Sequence, residues 1–478
     1  MLLSQLFASI KHERHGSDAD IKSIQYNSRK VEEGSLFCCI VGNVSDGHKY
    51  AHQAVEKGAA ALLVQHLVEG VEVPQIVVKD SRKAMALASS EFYGNPSREM
   101  TMVGITGTNG KTSTTYMLKA IAEAAGKKVG LIGTIRNMIG DEIIDTERTT
   151  PESVDLHRIL RLMKDEGVDI VVMEVSSHSL DQKRVYGIEF DVAEFTNLTQ
   201  DHLDYHKTFE RYLAAKKLLF KVCKAAVINK DDMNAASVSE GLKVPIMTFG
   251  ICEKSNVYAT EIEITTKGVQ FDMHTQMGDA HMSISTPGLF SVFNALGSAA
   301  VALTLGFTMD EIKQGLEGMQ SVSGRLEPLD TGNRGFSVLL DYAHTPDALE
   351  NVIKTVSEFA KGRVVTLFGC GGDRDQAKRP IMGEIAGRFS DFVIVTSDNP
   401  RSEEPMAIIN EIVEGVKKSA CEYAVIENRR EAIAFALASA QRDDVIILAG
   451  KGHENYQEMS GSKYHFDEKE IVAELLAQ

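Results

Sequence analysis

The segment that decides the fold reads Gly104-Ile-Thr-Gly107-Thr-Asn-Gly110-Lys111-Thr112. An apolar run precedes it, and an amphipathic segment with Met117, Leu118 and Ile121 follows. A strand, a glycine-rich turn and a helix N-terminus together direct backbone N–H groups toward an anion. We expect Lys111 to reach the β- and γ-phosphates of a nucleotide and the Thr112 hydroxyl to ligate Mg²⁺. The alternative is an ordinary glycine-rich turn followed by a solvated lysine.

The spacing of the glycines departs from the common phosphate-loop pattern. That pattern requires a glycine five residues before Gly110, where this chain has Ile105, and Gly104 comes one position too early. The segment is therefore a variant form of the loop.

The composition is typical of a globular protein of several domains. The chain has 478 residues, of which 43% are hydrophobic and 25% charged, and its net charge of −16 argues against a general nucleic-acid binder. Six cysteines without a metal-like spacing predict reduced thiols. No apolar run approaches about 18 residues, so we expect neither a signal peptide nor a membrane span, and we expect a cytoplasmic location.

Apolar runs alternate with helix-like segments along most of the chain, which predicts three α/β domains with largely parallel sheets. We expect a small N-terminal α/β domain over residues 1–98 and a central P-loop-type parallel-sheet ATPase domain over 99–326. A C-terminal, Rossmann-like domain is expected over 327–478. Residues 257–286 alternate with a period of two and predict an antiparallel appendage to the central domain.

A carboxylate ends one apolar run of the central domain, Ile170-Val-Val-Met-Glu174. Glu174 is therefore expected at the carboxyl edge of a strand, where the Mg²⁺ of a bound nucleotide would lie. Many strands end in an acidic residue without any such role. A dense polar run follows, Val175 to Arg184, and such residues either cap a helix or contact a ligand.

A lysine lies on the apolar face of the helix predicted from about Thr208 to Lys221. At 100° per residue, Lys216 falls in the middle of that face, whereas Lys217 lies on its flank. Burial lowers the pKa of a lysine amine. Lys216 therefore either extends to the surface or reaches the active site, where it could be a modified amine.

Four polar clusters follow predicted strands of the third domain. They begin at Asp341, Gly369, Ser397 and Gly450. Each could be an ordinary turn. Ligands of open α/β sheets bind outside the carboxyl ends of the strands, so four such clusters indicate a binding crevice.

Taken together, these motifs resemble those of the Mur ligases, the ATP-dependent amide-forming enzymes of bacterial peptidoglycan synthesis. The resemblance extends over essentially the whole chain, from the phosphate loop to Gly450-Lys-Gly-His-Glu454, and includes the unusual glycine spacing. It is strongest to members that add the third amino acid to UDP-N-acetylmuramoyl-L-alanyl-D-glutamate. In such enzymes a glutamyl carboxylate attacks ATP, and an incoming amine displaces phosphate from the resulting acyl phosphate.

The resemblance implies a role for each motif residue. The ATP site would comprise Gly107, Thr108, Asn109, Gly110, Lys111, Thr112, Asn294, Arg325 and Asp341. The UDP-muramoyl dipeptide would contact Ser28, Thr149, Thr150, Ser176, Gln182 and Arg184. Mg²⁺ would be held by Thr112, Glu174, His202 and a CO₂-derived carbamate on Lys216. Lys111, Glu174, His202 and Lys216 would be catalytic.

The third amino acid depends on the C-terminal domain. The family associates Asp398-Asn399-Pro400-Arg401 with meso-diaminopimelate, and the resemblance adds Arg379, Gly450 and Glu454 to that site. Arg401 can pair with the distal carboxylate that lysine lacks. The expected partners are these small molecules, with no nucleic acid and no membrane span, and the protein is expected to be a monomer.

Three alternatives remain. The first is the lysine-adding ligase. The second is MurF or folylpolyglutamate synthase, in which residues 398–401 would have no purpose. The third belongs to another class, a P-loop regulatory ATPase, which would release phosphate without any amine acceptor.

Overall fold

The computed structural model describes residues 1–42, 45–144, 148–199, 201–251 and 255–477, and for Asp204 the backbone alone. Its contacts group into two compact units. The first comprises residues 1–257 and 297–315, and the second comprises residues 258–296 and 316–478. The domain limits predicted at residues 98 and 326 stay predictions.

The N-terminal part of the first unit is a five-stranded α/β layer. Its strand order is β1-β5-β4-β3-β2, and β1 is antiparallel to β5 whereas the other pairs are parallel. Strands β3, β4 and β5 lie within three apolar runs of the sequence, at residues 35–41, 59–64 and 75–78. The elements are α1 (Leu3–Leu6), β1 (Glu13–His15), β2 (Ser23–Gln25), β3 (Ser35–Cys38), α2 (Ala51–Glu56), β4 (Ala59–Val64), β5 (Gln75–Val77) and α3 (Ser81–Phe92).

The rest of the first unit is built on a mostly parallel sheet. The strand order within the unit is β13-β12-β11-β6-β10-β7-β8-β9. The last two strands form an antiparallel edge that the sequence did not predict. The elements are β6 (Thr101–Thr106), α4 (Lys111–Ala124), β7 (Val129–Ile132), β8 (Asn137–Ile139), β9 (Glu142–Ile144), α5 (Ser153–Asp165), β10 (Ile170–Glu174), α6 (Ser177–Asp181), β11 (Phe190–Phe195), α7 (Leu203–His206), α8 (Phe209–Lys217), β12 (Cys223–Asn229), α9 (Ala235–Ser239) and β13 (Ile246–Gly250).

The central strand β6 lies between β10 and β11, parallel to both. The carboxyl ends of these three strands therefore meet at one edge of the sheet. Gly104 lies inside β6, where a Cβ atom would be 2.8 Å from the Phe190 ring. The glycine spacing is unusual because Gly104 is required for packing inside β6, whereas the phosphate turn begins only at Gly107.

The second unit contains an antiparallel segment and a further α/β layer. Strands β15 and β16 form a hairpin, as the two-residue period predicts. The first elements from this point of the chain are β14 (Val257–Thr265), β15 (Gly268–Thr275), β16 (Gly278–Ile284), α10 (Leu289–Thr304) and α11 (Met309–Gly318). Helices α10 and α11 include residues of both units.

The α/β layer of the second unit has the strand order β17-β18-β22-β19-β20-β21, with only β17 antiparallel to its neighbour among these described strands. Strands β23 and β24 form a separate hairpin. The elements are β17 (Glu327–Leu329), β18 (Ser337–Asp341), α12 (Pro346–Ser357), β19 (Val364–Phe368), α13 (Lys378–Phe389), β20 (Phe392–Val395), α14 (Pro405–Val416), β21 (Glu422–Val425), α15 (Arg429–Ser439), β22 (Val445–Ala449), β23 (Tyr456–Met459), β24 (Ser462–His465) and α16 (Glu468–Ala477).

The four predicted clusters of the third domain all follow parallel strands of this sheet. The strands are β18, β19, β20 and β22, and they end at Asp341, Phe368, Val395 and Ala449. Neighbouring strands in the sheet run in the same direction, so the clusters lie at one edge of it.

The described cysteines carry free thiols, and four of them, Cys38, Cys39, Cys223 and Cys370, are buried. Cys252 lies outside the described residues. Among the helices that the structure describes, none is both long and apolar enough to cross a bilayer.

Candidate active site

The phosphate loop is fixed by the end of the neighbouring strand β11. The Thr196 hydroxyl donates to the Asn109 carbonyl over 2.6 Å, and the Asn109 N–H donates to the Asn197 side chain over 2.9 Å. Gly107 has a φ of 155°, and a Cβ atom there would be 1.8 Å from the Thr196 hydroxyl oxygen. Both the turn and the close packing against Thr196 therefore require glycine at position 107.

Lys111 lies at the first position of α4, directly after Gly110, which has a φ of 88°. Its ammonium donates to the carbonyls of Gly107 and Thr108 over 2.9 and 2.8 Å. The loop thus holds the lysine over its own turn, beside the N-terminus of α4. A phosphate at this position would face both the ammonium and the helix N–H groups.

Glu174 is the last residue of β10, as the sequence predicts, and it is almost fully buried. One carboxylate oxygen accepts hydrogen bonds from the Thr112 hydroxyl over 3.0 Å and from the Thr134 N–H over 2.8 Å. The other oxygen accepts from the Thr134 hydroxyl over 3.0 Å. The structure therefore brings together Thr112 and Glu174, two of the four predicted metal ligands.

Three of the predicted dipeptide residues lie around Glu174. The Thr150 hydroxyl donates to the Glu174 backbone carbonyl over 2.8 Å, and the Ser176 N–H donates to that hydroxyl over 3.2 Å. The Thr149 hydroxyl accepts a hydrogen bond from Thr134 over 3.1 Å. The phosphate loop and the predicted dipeptide site are thus connected through a single carboxylate residue.

Gln182 and Arg184 extend this group. The Arg184 guanidinium donates to the Thr150 carbonyl over 2.9 Å and to the Gln182 side chain over 2.7 Å. Burial lowers the pKa of Arg184, and nearby Arg148 and Arg82 lower it further, while Glu152 opposes the shift. Lys183, between the two residues, has a φ of 58°, a conformation that costs energy in residues other than glycine and clusters at functional sites.

Lys216 is buried on the inner face of α8, which excludes the alternative that its side chain extends to the surface. Its ammonium donates to the Gly107 carbonyl over 2.7 Å and lies 4.6 Å from the centre of the Tyr212 ring. Burial lowers the pKa of Lys216 well below its ordinary value, and the charge of Lys111 acts in the same direction. Lys216 and Lys111 thus share one carbonyl of the phosphate loop.

His202 precedes α7 with a φ of 53°. Its ring lies edge-on to His178, with 4.8 Å between the ring centroids, and Asp201 is 3.4 Å from its Nδ1 atom. Over the described residues, no group of three or more His, Cys, Asp or Glu side chains is arranged to hold a metal ion. The complete metal set of Thr112, Glu174, His202 and Lys216 therefore stays a prediction.

Ser28 lies in the N-terminal layer, at the start of a single 3-10 turn that Asn27 caps. Its hydroxyl donates to the Gln53 side chain over 3.1 Å, and its carbonyl accepts from Lys57 over 3.0 Å. The structure brings none of the other predicted site residues to Ser28 among the contacts of the described chain. Its role toward the uridine end stays a prediction.

In the second unit, Asp341 fixes the turn that carries Arg325. Its carboxylate accepts from the N–H groups of Leu326 and Ala343, each over 2.8 Å. Burial raises the pKa of Asp341, whereas the charge of Arg325 and these two hydrogen bonds oppose the rise. Arg325 lies 5.7 Å from the centre of the Tyr342 ring, and Asn294 is buried in α10.

Asn399 and Glu454 meet at the carboxyl edge of the second sheet. The Asn399 amide donates to the Glu454 carboxylate over 2.8 Å, and the fully buried Lys451 donates to the Asn399 amide oxygen over 3.1 Å. Gly450 has a φ of 113°, and a Cβ atom there would be 2.9 Å from an Asp398 carboxylate oxygen. Because Gly450 has no Cβ atom, residue 450 does not cover this oxygen of Asp398.

Arg401 points into the same region. Its guanidinium donates to the Glu458 carboxylate over 3.1 Å and to the Gly372 carbonyl over 2.8 Å. Its φ of 52° is again unusual for a residue with a side chain. A Cβ atom on Gly372 would be 1.9 Å from the Pro400 carbonyl oxygen, so the turns that carry Gly372 and Pro400 pack directly on each other.

Arg379, which the resemblance adds to the diaminopimelate site, is fully buried. Its guanidinium donates to Glu411 over 3.0 Å and to Glu403 over 2.8 Å. It also approaches the Gly371 carbonyl at 3.5 Å. These contacts indicate that Arg379 supports the Gly371–Gly372 turn, and a direct contact with an amino acid stays a prediction.

Several residues at these sites had not been identified from the sequence. Thr134 follows β7 and has no recognisable motif, whereas Lys451 lies inside the Gly450–Glu454 run and could have been named from it. Glu458 and Arg82 are ordinary charged residues in sequence. Only the hairpin pairing of β23 and the packing of α3 bring them to the predicted sites.

Comparison with known proteins identifies the family. The model for the Mur ligase middle domain matches residues 105–302, the model for the Mur ligase glutamate ligase domain matches 324–452, and that for the Mur ligase family catalytic domain matches 20–93.

Curated relatives match along the full chain. The UDP-N-acetylmuramoyl-L-alanyl-D-glutamate–2,6-diaminopimelate ligase 1 of Clostridium acetobutylicum is 48% identical and covers 100% of both chains. The enzyme of the same name, without the number, from Caldanaerobacter subterraneus subsp. tengcongensis is 50% identical over 100% of this chain and 99% of its own. A solved structure with that ligase name is 30% identical, covers 96% of this chain and 95% of its own, and has a TM-score of 0.71. The chain therefore belongs to the Mur ligase family.

Proposed function

We propose that this protein is an ATP-dependent ligase of the MurE type, which joins meso-2,6-diaminopimelate to UDP-N-acetylmuramoyl-L-alanyl-D-glutamate. The observation that carries the proposal is the position of Glu174, which contacts Thr112 of the phosphate loop and Thr150 of the predicted dipeptide site. Phosphate and carboxylate substrates would therefore meet at one point. The full-length relatives carry the name of this activity.

The reaction needs positioning and charge neutralisation more than covalent chemistry. An oxygen of the glutamyl carboxylate attacks the γ-phosphorus of ATP, and the bond to ADP breaks. The neutral amine of the third amino acid then attacks the acyl carbon, phosphate leaves, and the amine loses a proton. Lys111 would leave the loop carbonyls to pair with the transferred phosphoryl group, whose charge it stabilises.

The residues around Glu174 fit a magnesium ion bound to a nucleotide. Mg²⁺ prefers oxygen ligands, takes one or two from protein and keeps the rest as water and phosphate. The Glu174 carboxylate and the Thr112 hydroxyl, 3.0 Å apart, are such a pair. When bound, the ion would neutralise charge on the phosphates, and His202 is proposed as a further contact.

We also propose that Lys216 carries a carbamate formed with CO₂. Only a neutral amine reacts with CO₂, and burial together with the charge of Lys111 lowers the pKa of Lys216 toward that form. The carbamate nitrogen, 2.7 Å from the Gly107 carbonyl, would still donate to it, and the added carboxylate group would carry a negative charge. That anion would then be oriented toward the predicted metal position.

The acceptor site is proposed at Asn399, Arg401 and Glu454, with Asp398, Pro400 and Gly450 shaping it and Arg379 supporting the turn. Arg401 supplies the guanidinium that the distal carboxylate of diaminopimelate requires. Lysine would place an ammonium or bare methylene there, which favours diaminopimelate over the lysine-adding alternative. A regulatory ATPase would have no use for these residues.

The remaining contacts complete the substrate set. Asn294, Arg325 and Asp341 are proposed to contact the nucleotide, and Ser28 the uridine end of the muramoyl substrate. Because the precursor is a nucleotide-linked sugar made inside the cell, we place the protein in the cytoplasm. A monomeric state stays a prediction.

One assay tests the proposal. Phosphate release is measured with ATP, Mg²⁺ and the UDP-muramoyl dipeptide, plus meso-diaminopimelate, L-lysine or no amine. We expect release with diaminopimelate only. Activity with lysine alone would reject the acceptor assignment, and release without any amine would support a regulatory ATPase.

A further inference from the structure

Glu152, at the start of α5, is a nearly buried carboxylate that contacts three guanidiniums. Its oxygens lie 3.2 Å from Arg82, 2.7 Å from Arg148 and 3.2 Å from Arg184. One carboxylate balances the charge of one guanidinium. Arg82 and Arg184 share this carboxylate, so the two guanidiniums together can attract a further anion, and Arg184 is predicted to bind the dipeptide.

Arg82 comes from the N-terminal layer, in the first turn of α3. That turn is fixed against the Gln182–Arg184 turn, because Asp80 caps α3 and forms an ion pair with Lys183. The left-handed conformation of Lys183 belongs to the turn that ends α6, where the Arg184 N–H donates to the Ser179 carbonyl over 2.8 Å. The N-terminal layer makes a second contact with the rest of the first unit, since the Tyr26 hydroxyl donates to Asp155 of α5 over 2.5 Å. Arg82 is thus positioned toward the dipeptide residues and not only toward solvent.

The Arg82 guanidinium has donors to spare. Its contact with Glu152 involves one terminal nitrogen, whereas a guanidinium carries five N–H donors. Its side chain is 23% exposed, which leaves room for a ligand. Arg184, in contrast, donates to Thr150 and Gln182 with its two terminal nitrogens.

The chemistry of the glutamyl residue specifies what these arginines would bind. Glutamate has two carboxylates, whose carbons are at most about 5 Å apart along the extended chain. One must reach the γ-phosphoryl group near Thr112 and Glu174. The other remains charged, close to the reacting end, and requires a cation. Arg184 contacts Thr150, which in turn contacts Glu174, so the arginine cluster adjoins the reacting position.

We propose that Arg82 is a further substrate-binding residue, which pairs with the non-reacting carboxylate of the glutamyl residue alongside Arg184. Glu152 is the positioning residue that holds both guanidiniums at the correct separation. This inference rests on the proposed function and adds to it. It also makes the N-terminal layer a contributor to recognition of the reacting residue, in addition to the distant nucleotide end.

The test uses the full chain and two substrates, the UDP-muramoyl dipeptide and its analogue in which the non-reacting carboxylate is an amide. A charge-assisted hydrogen bond implies that the wild type prefers the carboxylate substrate by about tenfold to a hundredfold in kcat/KM. Arg82→Met should lose about that factor with the dipeptide, yet change by less than about threefold with the amide. The KM for ATP should stay unchanged.

Two further variants separate binding from folding. Arg82→Gln can still donate to Glu152, so it should lose the preference for the carboxylate while retaining the wild-type Tm. Lys83→Met is the matched control, because Lys83 lies in the same turn but contacts the Tyr186 ring. It should behave as the wild type with both substrates.

The outcomes are distinguishable. Equal losses with the dipeptide and the amide, an equal rise in the KM for ATP, or no loss at all would overturn the role of Arg82. A wild type that releases no phosphate with the dipeptide and diaminopimelate would instead overturn the proposed function. If Arg82→Gln still preferred the carboxylate substrate to the amide, the charge of Arg82 would not contribute to substrate binding.

Discussion

Glu194 is expected to make the stability of the central sheet strongly dependent on pH. It lies one residue from the carboxyl end of β11, fully buried, and neither carboxylate oxygen has a hydrogen-bond partner among the described residues. It faces α10, where a Cβ atom on Gly297 would be 2.4 Å from one of its oxygens. Burial raises the pKa of Glu194 from an ordinary 4.5 to about 8. The side chain is therefore neutral at pH 7.

The sign of the effect follows from proton linkage. A folded-state pKa above the unfolded value means that the folded chain binds the proton more tightly, so stability is greatest below about pH 4.5 and falls until about pH 8. Each pKa unit corresponds to about 1.4 kcal/mol, so burial of this group costs about 3 kcal/mol at pH 7. Above pH 8 the cost approaches about 5 kcal/mol.

The assay compares the wild type with Glu194→Gln, which keeps the shape but cannot ionise. Urea unfolding is followed by circular dichroism between pH 6 and pH 9, because the chain has no tryptophan. The stability difference between the two proteins should grow in favour of Glu194→Gln by about 1.4 kcal/mol per pH unit near pH 6, and the growth should level off above pH 8. Local hydrogen exchange in β11 should show the same trend, which assigns it to this sheet.

The matched control is Glu189→Gln. Glu189 is exposed and lies 3.9 Å from Lys224, and an exposed pair of this kind contributes at most about 1 kcal/mol to stability, so Glu189→Gln should unfold like the wild type at each pH. Parallel stability curves for the wild type and Glu194→Gln across the whole range would refute the reasoning. They would mean that Glu194 has the same proton affinity in the folded and the unfolded chain.

Three further predictions concern the proposed active site. Lys216→Ala should reduce kcat by more than about a hundredfold, and short-chain carboxylates should partly restore it; a fully active variant would exclude the carbamate. Arg401→Ala should raise the KM for diaminopimelate by about tenfold or more without affecting the KM for ATP, and equal effects on both would contradict its assignment. Gly107→Ala should fold but lose ATP binding in calorimetry, because its Cβ would be 1.8 Å from the Thr196 oxygen; wild-type affinity would show that the loop can move aside.

The sequence was most informative where apolar runs have clear ends. The strands Val129–Ile132, Ser337–Asp341 and Val445–Ala449 each coincide with an apolar run of the sequence, because a buried parallel strand is a short continuous apolar run. The burial of Lys216 also followed from helical periodicity. These features depend on local pattern alone.

Other features depend on contacts between distant segments and could not be predicted from local pattern. The contact of Thr134 with Glu174 depends on the turn after β7, and the burial of Glu194 depends on α10 lying over β11. The N-terminal helix α1 is a single turn, Leu3–Leu6, whose leucines are buried by segments distant in sequence. The ion pairs of Arg379 with Glu403 and Glu411 likewise form between segments that are apart in sequence.

The contact between Gly107 and Thr196 has a consequence for inhibitor resistance. Every amino-acid replacement at Gly107 adds at least a Cβ atom, and that atom would overlap the Thr196 hydroxyl. A compatible change would therefore require a second, simultaneous mutation at Thr196, which also anchors Asn109. Lys111 and Lys216 both donate to the Gly107 carbonyl. For a compound that hydrogen-bonds this carbonyl, a single substitution at residue 107 would therefore not give resistance without also disturbing the loop.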